Sequence, residues 1–248
     1  MSMKTFSHQF YLTAAEVTAQ REMPLSRLVT LIIETATGHA NQLGIGFDFM
    51  ISHGISWVLS RLTIEIKETP KVNHAYRLDT WIENFNRMFS DRNFEMIDEE
   101  TGEPILWAHS TWMAINMESR RPSDLTALKG MSEAVNGQLF PYDKGGKLLP
   151  VQDAVVEHEY RFAVSDIDVN RHVTTRRYID LMVDLWPLEQ YEHNTVSRFE
   201  IAFKREARYD DVARAVAAPH EGSPEVFDTQ VEVNSSPCAL ARIYFKKR

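Results

Sequence analysis

Two nine-residue stretches of the chain alternate apolar with polar positions and share a spelling. Residues 59–67 read Leu-Ser-Arg-Leu-Thr-Ile-Glu-Ile-Lys, and residues 196–204 read Val-Ser-Arg-Phe-Glu-Ile-Ala-Phe-Lys. In each, a Ser-Arg pair is followed by apolar side chains at every second position: Leu62, Ile64 and Ile66 in the first, Phe199, Ile201 and Phe203 in the second. A period of two predicts strands with one face on a core. Each strand follows a stretch with helical spacing. In the first, Pro24 suits a first-turn position, and Leu25, Leu28, Val29, Ile32, Ile33, Ala36, Ala40 and Leu43 form the stripe, closed by Gly44 and Gly46. In the second, Tyr178, Ile179, Met182, Leu185 and Trp186 form a similar stripe that stops near Pro187.

Further strands are predicted at 77–83, 86–98 and 105–116, with a turn at Thr101-Gly102, and at 212–218, 227–233 and 239–246. The chain thus reads as one unit written twice: a short strand, one long helix, then several antiparallel strands. One helix buried on an antiparallel sheet is an α+β layer arrangement. The predicted domains are residues 1–120 and 156–248. The segment 121–155, with Pro122, Pro141, Gly145, Gly146 and Pro150, reads as a linker holding a short helix within 124–135.

Length and composition permit this reading. The 248 residues suit two domains of ordinary size, and 44% hydrophobic with 25% charged residues is globular. A net charge of −8 lacks the basic footprint that nucleic acid requires. No apolar run reaches the ~18 residues of a membrane span, and residues 1–10 contain no signal-like apolar core. The single cysteine, Cys238, supplies neither a disulfide framework nor a multi-thiolate metal site. The expectation is a cytoplasmic protein needing no metal or other cofactor.

The densest polar cluster is Ser165-Asp-Ile-Asp-Val-Asn-Arg-His-Val173, just before the second helix. A calcium loop starting at Asp166 would need Gly at 171 and a carboxylate at 177, and both are arginine. Zinc would need further His or Cys at ligand spacing, which the stretch lacks. Two readings stay open on the residues alone. Asp and Asn form turns and cap the helix, or a titratable His and its polar neighbours form a catalytic group at a helix N-terminus.

Asp168-Val-Asn170-Arg-His172-Val, the later Tyr178, and the strand end Phe203-Lys-Arg-Glu206 resemble the active-site stretches of plant and bacterial acyl-acyl carrier protein (ACP) thioesterases. Trp57-Val-Leu-Ser-Arg, Asp79-Thr-Trp81 and Thr101-Gly-Glu extend the resemblance into the first half, so that it runs from about Phe6 to the last strand. It implies two tandem hotdog domains, with Asp168, Asn170, His172 and Glu206 as the catalytic group. The implied activity is hydrolysis of fatty acyl-ACP to free acid and carrier. The chain departs from the family twice. Thr174 and Thr175 replace two Asn after the His-Val pair, and Ala207 stands where plant enzymes often carry Cys. Without a thiol there, water is the implied nucleophile, with Glu206 or Asp168 as base and His172 and Asn170 orienting.

Other candidates carry a bland and a sharp reading. His39 reads as a packed core residue, and Glu157-His158-Glu159 as surface. Trp57, Trp81, Trp107 and Trp112 suit strand cores, though Trp57 and Trp112 are candidate walls of an acyl pocket. Arg176 and Arg177, with Lys204, Arg205 and Arg208, are solvated charges or a patch for an acidic carrier. An acyl-CoA thioesterase and a non-catalytic acyl-thioester binder are the alternatives, and a homodimer stays open. The first half reads Arg21-Glu-Met-Pro24 before its helix, with no Asp-x-Asn-x-His, which predicts one active site per chain.

Overall fold

The computed structural model describes residues 4–128 and 130–248. They form two compact units: residues up to Met23 with Leu31–Lys144, and Pro24–Thr30 with Gly145–Arg248. In the first, five antiparallel strands lie in the order β1 (Phe6–Tyr11), β3 (Ala75–Phe85), β4 (Ser90–Asp98), β5 (Pro104–Asn116) and β2 (Ile55–Ile66). In the second the order is β7 (Asn194–Phe203), β10 (Ser236–Lys247), β9 (Ser223–Val233), β8 (Val212–His220) and β6 (Val156–Arg161).

Helix α1 (Leu25–Gln42) buries Leu31, Ile32, Thr35, Ala36 and His39. Against them come Phe6, whose ring stacks on His39 at 6.2 Å, and Arg92 of β4, hydrogen-bonded to His39. The helix ends as Gly44 predicts. Gly44 takes φ 73°, its N–H bonds the Asn41 carbonyl, and the Ile45 N–H bonds the Ala40 carbonyl, which satisfies two terminal carbonyls. A six-residue helix that the spacing does not predict, α2 (Phe47–Ser52), follows and buries Met50.

Two sequence expectations change. The predicted strand at 86–98 begins only at Ser90, because the Asn86 side chain accepts the N–H groups of Met88 and Phe89 and makes a turn. The short helix expected within 124–135 is present as α3 (Met131–Ala134). The second helix is not long. As α4 (Thr175–Val183) it spans nine residues and buries Tyr178, Ile179, Leu181 and Met182 toward β8 and β9. Trp186 lies past its end, edge-on to Phe227 and Phe245 at 5.4 Å, and Pro187 caps a separate helix α5 (Leu188–His193). Each unit is nonetheless a helix on an antiparallel sheet, the hotdog arrangement.

Residues 136–144 are not a bare connection, for they bind the outer face of the first sheet. Trp81 donates its indole N–H, and Asn93 its amide, to the Gln138 carbonyl. Burial pushes the Glu83 carboxyl up, but the Lys144 ammonium, the Asn93 amide and the Phe140 N–H outweigh it and hold it below the usual range. His109 sits beside them, its Nδ1 2.7 Å from Asn93 Oδ1. Burial, with help from Lys144 and Arg61 against Asp91 and Glu83, lowers its pKa to about 4.

This lowering has a signed consequence. The unfolded imidazole titrates near 6.5. Between about pH 6.5 and 4 the unfolded chain therefore holds a proton that the folded chain refuses, and stability is lost as pH falls through that window. Urea midpoints measured across this range should drop with pH. His109→Gln should flatten part of that dependence, and an unchanged profile would show that His109 does not contribute.

Candidate active site

The polar cluster of the second unit is built around a buried carboxylate. Asp166 is 1% exposed, and its Oδ2 accepts the Ala163 N–H at 2.8 Å and the Tyr160 hydroxyl at 3.1 Å. Its Oδ1 accepts Arg177 Nε at 2.5 Å, and its backbone carbonyl accepts the Thr174 N–H. Charge-assisted bonds of this kind are strong, so the start of α4 is anchored from below. Thr174 caps the helix, accepting the Arg177 N–H on its hydroxyl.

The loop 167–173 is closed by Asp168. Its N–H bonds the His172 carbonyl at 2.8 Å, and its Oδ1 accepts the N–H groups of Asn170 and His172 at 2.8 and 3.0 Å. Arg171 sits between them at φ 64°, a left-handed turn that an arginine adopts at a cost. That loop is tied to the segment after β7 through one residue. Ala207 accepts the Val173 N–H on its carbonyl (2.9 Å) and donates its own N–H to the Tyr178 hydroxyl (2.9 Å). Burial raises the Tyr178 phenol well above its ordinary value, so it stays protonated. Glu206, immediately before Ala207, thereby lies with Oε2 3.2 Å from His172 Nε2.

Of the residues singled out from sequence, His172 and Glu206 thus meet directly. Asp168 is joined to His172 through the backbone of the loop, and Asn170 is exposed, its N–H held by Asp168. Ala207 is buried, so the position of the family's cysteine faces the interior here. The arginines diverge. Arg176 is exposed, 3.6 Å from Asp180, whereas Arg177 is committed to Asp166. Lys204, Arg205 and Arg208 are exposed, and so are Glu157, His158 and Glu159. Sequence reasoning did not single out Asp166 as the anchor. Its buried bonds reach residues 3 to 11 positions away, which a motif does not display.

Trp57 and Trp112 belong to the first unit and line one pocket there, of about 410 Å³ including its open mouth. Ala36 and Ala40 of α1, Ile45, Ile82 and Met131 supply apolar walls, and Arg92 a charged one. Trp57 is fixed by its indole N–H to the Ile45 carbonyl (2.9 Å), and Trp112 by its own to Ser110 Oγ (2.8 Å).

The first unit repeats the loop of the second with different side chains on it. Thr18 N–H bonds the Glu22 carbonyl, Arg21 takes φ 63°, and the Met23 N–H bonds the Pro70 carbonyl. The Lys71 N–H bonds the Tyr76 hydroxyl, much as Ala207 bonds Tyr178. Thr18 therefore stands where the second unit has Asp168, Gln20 where it has Asn170, and Glu22 where it has His172. Among the described residues no group of three or more His, Cys, Asp or Glu side chains is placed to hold a metal ion, and no helix is long and apolar enough to cross a membrane.

Comparison with known proteins agrees with this architecture. The family model of the acyl-ACP thioesterase N-terminal domain matches residues 3–127, and that of the C-terminal domain residues 151–247. The crystal structure of an acyl-ACP thioesterase from Bacteroides thetaiotaomicron is 30% identical, with a TM-score of 0.91 over 99% of this chain and 100% of that one. A 12:0-ACP thioesterase from Umbellularia californica, at 23% identity and a TM-score of 0.89 over 98% of this chain and 94% of its own, shares the fold. The chloroplastic palmitoyl-acyl carrier protein thioesterase of Gossypium hirsutum is 26% identical over 89% of this chain, which spans only 56% of that relative's length. With matching models over both halves and the same two-unit fold throughout, the chain belongs to the acyl-ACP thioesterase family.

Proposed function

We propose that this protein hydrolyses fatty acyl-ACP thioesters to free fatty acid and holo-ACP, with water as the nucleophile and Glu206 as its base. The observation that carries the reading is the 3.2 Å contact between His172 Nε2 and Glu206 Oε2, in a family whose matched relatives are named for this reaction. Asp168 is the weaker candidate for the base. Its Oδ1 already accepts two backbone N–H groups, so that oxygen is committed to holding the loop.

In this reading Glu206 takes a proton from water as the oxygen attacks the thioester carbonyl carbon, and His172 holds and polarises the pair. The C–S bond of the tetrahedral intermediate then breaks. The electron pair leaves on sulfur, and the proton held by Glu206 is returned to the thiolate. Asp168 shapes the loop, and Asn170 is assigned to the substrate carbonyl or the loop. The first unit, residues 1–120 with residues 136–144 packed on it, supplies the acyl pocket at Trp57 and Trp112. The unit from 156 onward supplies the chemistry, one site per chain. Arg177 is spent on Asp166. Carrier docking is therefore assigned to the exposed Arg176, Lys204, Arg205 and Arg208, and Arg177 to the fold. Acyl-CoA hydrolysis is the second reading, on the same residues.

Glu206→Gln and His172→Ala should each lower kcat for acyl-ACP by at least about a hundredfold with little change in Tm. Cys238→Ser should be nearly silent. The Cys238 thiol is buried and pushed up to about 11, so it is not a nucleophile. An active Glu206→Gln enzyme beside an inactive Cys238→Ser enzyme would reverse the assignment.

Trp112→Ala enlarges a pocket wall rather than the reacting group, so it should move the chain-length optimum upward while kcat on the best substrate falls by less than about tenfold. Assay against a series of saturated acyl-ACPs reads this, and a uniform loss at every length would deny the pocket its role.

Reversing Arg176 and Arg208 together to Glu should raise KM for acyl-ACP several-fold and weaken its salt dependence, since rim charges govern encounter. An acyl-pantetheine substrate, which carries no acidic protein, should be unaffected. Equal losses on both would place the carrier elsewhere.

A further inference from the structure

Arg92 is a charge without a counter-charge at the wall of the acyl pocket. It stands on β4, facing α1, and is only 6% exposed. Its Nη1 lies 2.8 Å from His39 Nδ1 and 3.2 Å from Thr80 Oγ1. The Thr80 proton is given to the Asn93 carbonyl at 2.9 Å, so the hydroxyl accepts from the guanidinium. Both partners are neutral acceptors, and among the described residues no carboxylate pairs with Arg92. Burial alone lowers its pKa, to about 10, which leaves it charged at neutral pH.

A guanidinium carries five N–H donors, and the two bonds here both use one nitrogen. No buried side-chain nitrogen or oxygen of the described residues lacks a partner. The remaining donors are therefore not sealed in protein. The cavity beside them is the pocket that Arg92 lines with Trp57, Trp112 and Ile82.

We infer that this pocket is a subsite for acyl chains whose far end carries an oxygen acceptor (a hydroxyl, oxo or carboxylate group) received by Arg92. The inference rests on the reading above that the pocket holds the acyl chain. A methyl-ended chain long enough to reach Arg92 would strip water from the guanidinium and offer nothing in return, which is costly for a charged group. An oxygen at that end replaces the water with a charge-assisted bond. Chains too short to reach leave the guanidinium hydrated and are indifferent to their terminus. The competing role for Arg92 is a purely structural pin between β4 and α1 through His39, which predicts effects on stability and none on terminus preference.

The test uses the whole protein and non-hydrolysable pantetheine amides, whose neutral head cannot itself seek Arg92. Saturated chains of about 8 to 16 carbons, ending in methyl, hydroxyl or carboxylate, compete against a fluorescent acyl-pantetheine amide. The matching thioesters are assayed for kcat/KM. Above a threshold length, the oxygenated ends should bind at least about tenfold more tightly than the methyl end. Arg92→Met should remove that preference and improve binding of the long methyl-ended chains, while Arg92→Lys should retain part of it. Equal or weaker binding of the oxygenated ends at every length, or a preference that survives Arg92→Met, overturns the inference. Should Arg92→Met fold poorly, the wild-type series together with Arg92→Lys still decides. The terminus preference in binding without any thioester hydrolysis would sink the proposed activity and leave the subsite standing. Hydrolysis without the preference would do the reverse.

Discussion

The peptide groups on either side of Ala207 hold two distant parts of the second unit in register. Its carbonyl takes the N–H of Val173, at the end of the polar loop, and its N–H goes to the hydroxyl of Tyr178, buried on α4. Both bonds are shielded, since Ala207, Val173 and Tyr178 are each 5% exposed or less, and a buried backbone group left unpaired would be costly. Everything proposed for catalysis follows from this clamp. It sets the segment after β7 against the loop and so brings the Glu206 carboxylate to His172. Asp166 does the complementary work beneath, fixing the first turn of α4 through Arg177.

The duplication separates the shared loop geometry from the side chains it displays. Both units keep a loop closed by an N–H-to-carbonyl bond across four residues, with an arginine at positive φ, and both bond a tyrosine hydroxyl to the facing segment. The geometry therefore belongs to the fold, for which it terminates a strand and starts a helix. What differs is the side chains it displays. Thr18 and Glu22 in one unit answer Asp168 and His172 in the other, and Thr69 precedes Pro70 where Glu206 precedes Ala207. The first unit instead opens a pocket between α1 and its sheet. The side chains could thus change without disturbing the loop geometry that the two units share.

Much of this was legible in the sequence, for identifiable reasons. Alternation marked β2 and β7 because their inner faces are apolar, and the repeated Ser-Arg spelling marked the duplication. Gly44 marked the end of α1 because only the left-handed conformation closes it. The loop 165–173 drew notice because so many short polar residues in one place must either turn, cap or react. Other features were not local enough to read. The end of α4 depends on Trp186 finding Phe227 and Phe245, which lie on other strands. His39 was recognisable as a packed residue on the helix stripe, but its partner Arg92 lies on β4, and no periodicity connects them. Arg177 looked like a surface charge beside the site because its neighbour Arg176 is one. Only the buried position of Asp166 shows where that side chain goes.

The central claim is that Glu206 activates water rather than attacking the thioester itself, and isotopic oxygen, combined with hydroxylamine trapping of any acyl-Glu206 anhydride as a Glu206 hydroxamate, separates the two. A single turnover with enzyme in excess over acyl-ACP, run in oxygen-18 water, is analysed by mass spectrometry of both the released fatty acid and the peptide bearing Glu206. Direct attack by water predicts one labelled oxygen in the acid, none in the peptide and no hydroxamate. An unlabelled acid with the label incorporated into the Glu206 peptide, or a Glu206 hydroxamate, would mean that the carboxylate forms a covalent acyl intermediate, and would contradict the account.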